Sequence, residues 1–329
     1  MTTDVMPTEI TPAGADPLRL APEELKALFA KRDAPGWWRL AGHLGLLLLG
    51  AWAWLAWWYP ALVPPGVSLP PAVKLLIALL GLLLMGFAQA TFFACMHETV
   101  HRTAFRNARV NDAVAWGAGL LSLYNSTFYR HYHGWHHRFT NQAGKDPELE
   151  DQKPVTAWQY VVEISAVTWW YGKLRSHLRS ALGKIEHLPY IPPDARRAVI
   201  NSVRAQLAVY LIAIIACLIT GSWLFVLAWV IPLAVGQPFL RAIVLSEHTG
   251  CARAAEPYRN TRTTSSTPLV TFLMWDMPYH AEHHRYPAVP FHALARLHDH
   301  MRPHLAHLAS GGYVAVQRGI IARLGIDPA

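Results

Sequence analysis

Charged residues are scarce in this chain. Only 15% of its 329 residues are Asp, Glu, Lys or Arg, whereas 53% are hydrophobic and 14 are tryptophan. A soluble globular domain normally carries about 25% charged residues. This composition therefore excludes an ordinary water-soluble enzyme and is typical of a membrane protein. The fold class that we predict is all-α, a multi-span helical membrane protein.

Cysteine is scarce as well. Cys95, Cys217 and Cys251 are odd in number, and their spacing fits neither a metal site nor a disulfide framework, so we expect free thiols. The chain also has no cysteine cluster for an iron–sulfur centre and no Gly-x-Gly-x-x-Gly fingerprint for a dinucleotide. An oxidoreductase built on this chain would therefore need electrons from a separate protein.

A continuous tract of Lys and Arg is absent, although the net charge is +8. The basic residues are scattered among tryptophans and apolar runs, which argues against nucleic-acid binding and fits attraction to anionic lipid headgroups. Residues 1–35 are polar and include acidic residues, so we expect no signal peptide. We expect a cytoplasmic leader over residues 1–39, with a short helix within 22–32, and a membrane domain over residues 40–329.

Three long runs, residues 40–73, 75–96 and 205–240, contain no charged residue. A helix of about 20 apolar residues crosses the hydrocarbon core of a bilayer. The third run would form about 54 Å of helix, which is too long for one span. Gly221 lies near its middle and predicts a turn there. We therefore predict four transmembrane helices, near residues 42–62, 74–96, 203–220 and 222–241.

The distribution of Lys and Arg predicts the orientation in the membrane. The connections 64–73 and 220–222 contain neither residue, whereas the leader, residues 97–204 and the C-terminal third are rich in both. By the positive-inside rule, these basic parts and both termini are cytoplasmic.

Eight of the 18 histidines fall into three groups: HETVH at 97–101, HGWHH at 133–137 and HAEHH at 280–284. Residues three or four apart share one face of a helix, so each group can direct two or three imidazoles at one point. The first group follows the second span and the third group follows the fourth, so one complete hairpin separates them. We therefore expect all three groups in a helical cap on the cytoplasmic side, where they hold a metal site.

The HETVH group contains the His-Glu-x-x-His pattern of zinc proteases, in which Glu98 would be the general base. Zinc in proteins takes three or four protein ligands, so a protease would leave two histidine groups unused. Two metal ions account for the three groups better. Neutral nitrogen ligands with open coordination positions suit redox-active iron that activates dioxygen.

With these groups between paired spans, the sequence resembles the integral-membrane fatty acid desaturase and hydroxylase superfamily, whose members carry a histidine-ligated di-iron centre. The resemblance runs from about Leu75 to His298. The segments HETVHRTAF at 97–105, HHRFTNQAGKDPE at 136–148 and WDMPYHAEHHRYP at 275–287 look most like bacterial fatty acid desaturases. The resemblance points to the inner membrane of a bacterium.

By this resemblance, the metal ligands are nine histidines. One of them, His248, matches a histidine that such desaturases place between the fourth span and the last group. Some also place an asparagine one helical turn earlier, but this chain has Val244 there, so no tenth ligand of that kind is expected. The set that the resemblance implies is His97, His101, His133, His136, His137, His248, His280, His283 and His284.

Carboxylates often accept hydrogen bonds from metal-bound histidines and so fix their orientation. Glu98 and Glu282 each lie within a histidine group, and we predict this role for them as the candidate catalytic residues. Asp146, Asp276 and Asn260 are secondary candidates for the same role.

The function that we predict is an O2-dependent di-iron desaturase of fatty acyl chains, with two Fe ions as cofactor and O2 as co-substrate. Its partners are a lipid or fatty acyl substrate from the membrane and an external electron donor of ferredoxin or cytochrome type with its reductase. A lipid hydroxylase or carotenoid ketolase on the same centre is the nearest alternative. An intramembrane zinc protease and a non-catalytic metal carrier are alternatives from other classes.

Overall fold

The computed structural model describes residues 18, 20–150 and 153–325. Residues 1–17 and 19 of the predicted leader lie outside the described residues, and the short helix expected within 22–32 is α1. In the described part, the helices and strands are α1 Pro22–Leu28, α2 Asp33–Trp58, α3 Pro71–Val100, α4 Ala108–Ser122, α5 Ser126–Phe139, α6 Ala157–Ile164, α7 Val167–Ala181, α8 Arg196–Thr220, α9 Ile231–His248, α10 Pro257–Asn260, β1 Thr263–Thr264, α11 Pro268–Leu273, α12 His280–Arg285, α13 Phe291–Met301, β2 Leu308–Ala309 and α14 Gly312–Arg323.

Among the described residues, four helical segments are long and apolar enough to cross a membrane: Pro22–Trp58, which contains α1 and α2, then α3, α8 and the continuous helix Val226–His248, which includes α9. The predicted all-α fold with four candidate transmembrane helices is confirmed. The ends differ from the predicted spans, because α2 begins at Asp33 and because α3 and α9 extend past the apolar runs to Val100 and His248. The last turns of α3 and α9 therefore carry histidines on continuous helix.

Local sequence signals set the helix ends that lie away from these histidines. Pro71 occupies the first turn of α3, where its missing N–H costs no hydrogen bond. Gly221 ends α8 with a left-handed φ of 64°, which glycine adopts without strain. The turn that Gly221 predicts is therefore present. Because the chain reverses there, the histidine-bearing ends of α3 and α9 lie at the same end of the bundle.

Glycines allow α3 to pack closely between α2 and α9. A Cβ atom at Gly236 of α9 would lie 1.9 Å from the carbonyl oxygen of Gly86, and one at Gly81 would lie 2.7 Å from the backbone nitrogen of Trp54 in α2. Lipid tails are as apolar as leucine side chains, so membrane helices associate largely through close packing of this kind. Backbone contact at these glycines therefore fixes α3 against both neighbours.

The helix that leads into α9 starts with a π-helical turn at Val226–Val230. In such a turn a carbonyl pairs with the N–H five residues later, but the residue five after Leu227 is Pro232, which has no N–H. The indole N–H of Trp54 donates to the Leu227 carbonyl instead, at 2.8 Å. An unpaired carbonyl in hydrocarbon is costly, so this bond stabilises the irregular turn.

The shorter helices of the described chain cover the histidine-bearing end of the bundle. The side chains of Asn107 and Asn125 accept hydrogen bonds from backbone N–H groups and so cap α4 and α5. Strands β1 and β2 pair in parallel, and α12 packs against β1, α10 and α13. These contacts bring α5 and α12, which carry the second and third histidine groups, to the ends of α3 and α9.

Candidate metal centre

Four helices deliver the nine histidines that the sequence predicts as ligands. His97 lies in the last turn of α3 and His101 caps that helix, while His248 is the last residue of α9. The second group lies on α5, and α12 begins at His280. All nine side chains are buried or half-buried, and the structure brings them together at one end of the bundle.

The ligand nitrogens of eight of these histidines form two adjoining clusters that could each hold a metal ion. Within each cluster the nitrogens all lie within 4.8 Å of one another. The rings of His137 and His284, one from each cluster, stack with their centroids 4.3 Å apart. The five-histidine cluster consists of His97, His101, His133, His137 and His283, and the three-histidine cluster consists of His136, His248 and His284.

Histidines that are neighbours in sequence belong to different clusters. His136 belongs to the three-histidine cluster and His137 to the other, and His283 and His284 divide in the same way. Successive residues of a helix point about 100° apart, so one helix can supply ligands to two ions. His133 and His137, four residues apart, stay together, with their Nε2 atoms separated by 2.9 Å.

Nitrogen–nitrogen distances in the five-histidine cluster suit ligands of one ion. The Nε2 atom of His283 lies 2.9 Å from that of His97 and 3.1 Å from that of His137. Ligand nitrogens bound about 2.1 Å from a metal stand about 3 Å apart when they subtend a right angle. The rings are therefore already at the spacing that a shared metal ion requires.

In the three-histidine cluster, hydrogen bonds fix which ring nitrogen carries the proton. His136 Nδ1 lies 2.8 Å from Asp146 Oδ1, and His248 Nδ1 lies 3.1 Å from the carbonyl oxygen of Asn260. Both partners are acceptors at these distances, so we assign the protons to Nδ1. A neutral imidazole with its proton on Nδ1 presents a lone pair on Nε2.

His284 completes this cluster in the same way. Its Nδ1 atom lies 3.1 Å from Thr140 Oγ1, whose hydroxyl donates to the His136 carbonyl, so His284 is the donor. The Nε2 atom of His284 is buried and has no hydrogen-bond partner. Three buried lone pairs therefore converge, and they need a cation or a donor to compensate for their burial. A set of neutral nitrogen ligands of this kind suits a transition-metal ion.

His280 adjoins the three-histidine cluster. Its Nε2 atom lies 3.2 Å from His248 Nε2 and 3.5 Å from Glu247 Oε2, and its Nδ1 atom is buried without a hydrogen-bond partner. The ninth predicted ligand thus lies beside the three-histidine cluster.

Burial keeps most of these imidazoles neutral. It lowers the pKa of His101 to about 4 and that of His283 well below its usual value. Neutral imidazole is the form that binds a metal. His136 differs: burial lowers its pKa, but the nearby Glu148 charge and the hydrogen bond to Asp146 outweigh this effect and raise the pKa overall.

Glu98 has other partners than the sequence predicts. Its Oε1 atom accepts a hydrogen bond from Thr103 Oγ1 at 2.6 Å and another from the backbone N–H of Phe291 at 3.1 Å. These bonds connect the end of α3 to the start of α13. The predicted hydrogen bond from an imidazole of the three groups to Glu98 is absent among the described residues.

Glu282 likewise connects backbone elements. Its Oε1 atom accepts from His298 Nδ1 at 2.6 Å, and its Oε2 atom accepts from the hydroxyl of Thr263. It thereby joins α12 to α13 and β1. In the described chain neither Glu98 nor Glu282 bonds to one of the nine histidines, so their catalytic role stays a prediction and their visible contacts hold the ligand-bearing helices in place.

Two of the three secondary candidates contact an imidazole of the site, and the third does not. Asp146 and the Asn260 carbonyl orient two imidazoles, whereas Asp276 forms an ion pair with Arg39 at 2.7 Å. Sequence reasoning missed two further acidic residues at the site. Glu148 Oε2 lies 3.7 Å from His136 Nε2, and Glu247 Oε2 lies 3.5 Å from His280 Nε2. Glu247 precedes His248 in the sequence, and this adjacency is the one signal that could have identified it.

His43, a polar residue of the first span, has a structural explanation. Its Nε2 atom lies 2.8 Å from the carbonyl oxygen of Ala88, and the indole N–H of Trp275 donates to its Nδ1 atom at 3.2 Å. Its ring also stacks on Phe92. Both ring nitrogens are therefore satisfied within the bundle, and His43 belongs to neither histidine cluster.

The candidate transmembrane helices and the buried clusters define a helical membrane protein with a site for metal ions made of histidines. A sequence model of the family described as Fatty acid desaturase matches residues 73–313, a range that includes all nine histidines. The chain belongs to the fatty acid desaturase family.

Two curated relatives carry the same name, sn-1 oleoyl-lipid 12-desaturase. The chain is 25% identical over 227 residues to an sn-1 oleoyl-lipid 12-desaturase of Arthrospira platensis, and the match covers 64% of each protein. It is 30% identical over 103 residues to a protein of the same name from Picosynechococcus sp.. That match covers 29% of this chain and 30% of the relative. In both cases the matched region is less than two thirds of the relative's length.

Proposed function

We propose that this protein is an O2-dependent di-iron desaturase that introduces a double bond into a fatty acyl chain of a membrane lipid or an acyl thioester. The observation that carries the proposal is the convergence of nine histidines, from residues 97 to 284, on two adjoining positions at the end of apolar helices. Membership of the fatty acid desaturase family and similarity to two oleoyl-lipid 12-desaturases support it.

The substrate explains why such a site is needed. A methylene C–H bond within an acyl chain is neither acidic nor electrophilic, so general acid–base catalysis cannot break it. Two bound iron ions would supply the redox chemistry by which dioxygen removes hydrogen from such a chain. In the balanced reaction, dioxygen takes two hydrogen atoms from adjacent carbons, together with two electrons and two protons from outside, and leaves as water.

The protein's own residues prepare the ligands for this task. Asp146 and the Asn260 carbonyl retain the Nδ1 protons of His136 and His248, so the Nε2 lone pairs point toward the ion position. Burial of these rings excludes bulk water and so limits side reactions.

The surroundings of the site suggest its partners. α3 and α9 run from the membrane directly into the histidine clusters, so an apolar substrate could reach the site from the bilayer. The distribution of Lys and Arg supports a cytoplasmic site in a bacterial inner membrane. Electrons would come from a ferredoxin or cytochrome, because the chain carries no dinucleotide or iron–sulfur motif.

The geometry argues against a zinc protease. A general base must be within hydrogen-bonding reach of the metal-bound water. The Oε1 atom of Glu98 is engaged by Thr103 and the backbone of Phe291, and its Oε2 atom is buried without a hydrogen-bond partner, so neither oxygen contacts a histidine of the described chain. His97 and His101 also gather with three further histidines, more than a catalytic zinc site uses.

Lipid analysis tests the proposal. The protein is expressed in a bacterial host that lacks its own desaturases, and the acyl chains are analysed by gas chromatography and mass spectrometry. We expect a new unsaturated acyl chain with the wild-type protein and none with His101→Ala. A hydroxylated or oxidised chain would reassign the site to a hydroxylase or ketolase.

Metal analysis provides an independent test. Protein purified without oxygen should contain close to two iron ions per chain, and it should consume oxygen when a reductant and lipid are supplied. One zinc ion per chain without iron, together with peptide cleavage that is lost in Glu98→Gln, would identify a protease instead.

A further inference from the structure

The two histidine clusters are unequal in ligands and in charge. The five-histidine cluster consists of imidazoles, without a carboxylate among its members. The three-histidine cluster has His280 beside it, and two carboxylates approach this side of the centre: Glu247 Oε2 lies 3.5 Å from His280 Nε2, and Glu148 Oε2 lies 3.7 Å from His136 Nε2. The site with fewer histidines is therefore the site with nearby negative charge.

Glu247 is placed as a ligand would be. It precedes His248 in the last turn of α9, so the same rigid helix end presents both side chains. The residue is buried, with 8% of its surface exposed. In the described part of the chain, no Lys or Arg forms an ion pair with its carboxylate.

A buried carboxylate without a fixed cation needs compensation, because burying an unpaired charge is costly. The cluster histidine that contacts His280 is His248, which already donates its Nδ1 proton to the Asn260 carbonyl and presents a lone pair on Nε2. The lone pairs of His136, His248 and His284 converge. His280 connects them to Glu247, because its Nε2 atom lies 3.2 Å from His248 Nε2 and 3.5 Å from Glu247 Oε2. A divalent cation satisfies all of them together.

We propose that Glu247 is a direct metal ligand of the ion held by the three-histidine cluster and His280. This inference rests on the proposed function for the identity of the metal as iron. Glu247 would supply the tenth protein ligand of the centre and its one anionic ligand. The two ions would then differ, one held by five imidazoles and the other by four imidazoles and a carboxylate.

Glu148 is the matched control. It carries the same charge beside the same cluster, but its side chain is 22% exposed and its oxygen is the more distant of the two. Glu148→Gln therefore removes a nearby charge without removing the proposed ligand. Glu247→Gln removes the ligand while preserving the shape of the side chain.

The test is iron binding by purified full-length protein in detergent. The metal is removed by chelation, the protein is titrated with Fe(II) without oxygen, and bound iron is counted after gel filtration. We expect two iron ions per chain in the wild type and in Glu148→Gln. We expect one tightly bound ion in Glu247→Gln, with the second held at least about tenfold more weakly.

Mössbauer spectra of the iron-57 protein report the two ions separately. We expect two distinct quadrupole doublets in the wild type, of which Glu247→Gln weakens or shifts one and leaves the other in place. Glu247→Asp, which keeps the charge but withdraws the carboxylate by one carbon, should have an iron affinity between those of wild type and Glu247→Gln. Gel filtration and circular dichroism check that each variant is folded.

Two results would overturn the inference. The first is an unchanged spectrum and two tightly bound ions in Glu247→Gln. The second is an equal loss of iron in Glu148→Gln, which would mean that charge alone attracts the ion. Failure of the proposed function looks different: the wild type would bind two iron ions yet make no unsaturated lipid, and the ligand assignment of Glu247 would stand.

Discussion

The two halves of α3 lie in different surroundings. In its first half, leucines such as Leu76, Leu80 and Leu83 are exposed on the outside of the bundle, and glycines make the contacts with α2 and α9. From Ala88 to Val100 every residue is buried, and this half includes Gln89, Thr91, His97 and Glu98.

This difference shows that two kinds of force hold one helix. In the first half, stability comes from close packing, because apolar side chains gain little by leaving lipid for protein. In the second half, buried polar groups need specific partners, because each unpaired group is costly. Changes in the second half should therefore affect metal binding and activity, and changes in the first half should affect stability.

The largest expected effect is that of His283→Ala. His283 lies within 3.1 Å of two other ligand nitrogens of the five-histidine cluster, so its loss removes a ligand from that ion. We expect desaturated product to fall at least about 100-fold and one iron ion to be lost, as measured by lipid analysis and iron content. His304→Ala, at an exposed position, serves as the control. Undiminished product from His283→Ala would refute the assignment of this cluster.

Asp146→Asn should have the next largest effect. The Asp146 carboxylate accepts from His136 and from the backbone N–H of Asn141, so the amide would lose an acceptor and misorient one imidazole. Residues that orient a ligand typically contribute about 10- to 100-fold to metal affinity or activity. Iron titration should show this loss in the three-histidine cluster, whereas the exposed Asp299→Asn should match wild type. Equal losses from both ions would contradict the separation of the two clusters.

Gly236→Ala tests the first half of α3, which packs against α9 through glycines. The added Cβ would lie 1.9 Å from the Gly86 carbonyl oxygen, so the two helices must separate. We expect a loss of about 1–3 kcal/mol, measured as a lower Tm in detergent, while the iron content at low temperature stays near wild type. Gly45→Ala, with no atom within 4 Å of its new Cβ, should be neutral or slightly stabilising. If Gly236→Ala is equally well tolerated, α3 and α9 do not approach as closely as described.

Trp54→Phe should have the smallest effect. It removes the N–H donor to the Leu227 carbonyl and retains the aromatic ring. Hydrogen bonds between membrane helices contribute about 0.6 kcal/mol on average, so we expect a small fall in Tm and no change in activity. The lipid-facing Trp57→Phe is the comparison. A similar Tm for both variants would mean that the π-helical turn does not depend on Trp54.

Much of the fold follows from the sequence because hydrophobic length and turn residues act locally. The charge-free runs predict the four long helices, and Gly221 predicts the turn that it makes. The ends of α3 and α9 could not be predicted from hydropathy. Their last turns are polar, and the two helices pack against other elements of the fold, α3 against α5 and α9 against α6 and α14.

The site could be predicted in part for a similar reason. Spacings of three and four residues place imidazoles on one helix face, so the histidine groups can be identified as candidate ligands from the sequence. No comparable spacing in the sequence identifies the residues that accept hydrogen bonds from those imidazoles. Asp146 reaches His136 from ten residues away, and the Asn260 carbonyl reaches His248 from twelve, whereas Glu98 and Glu282, within the groups, point elsewhere.

The sequence by itself determined the four long apolar helices, through the length of the charge-free runs, and the eight histidines of the three groups, through their spacing; the family resemblance added His248. Only the tertiary structure decided how those ligands divide between two positions and which carboxylates accompany them. The reason is geometric. Adjacent side chains on a helix diverge by about 100°, so the partner of each one depends on which distant segment packs against it.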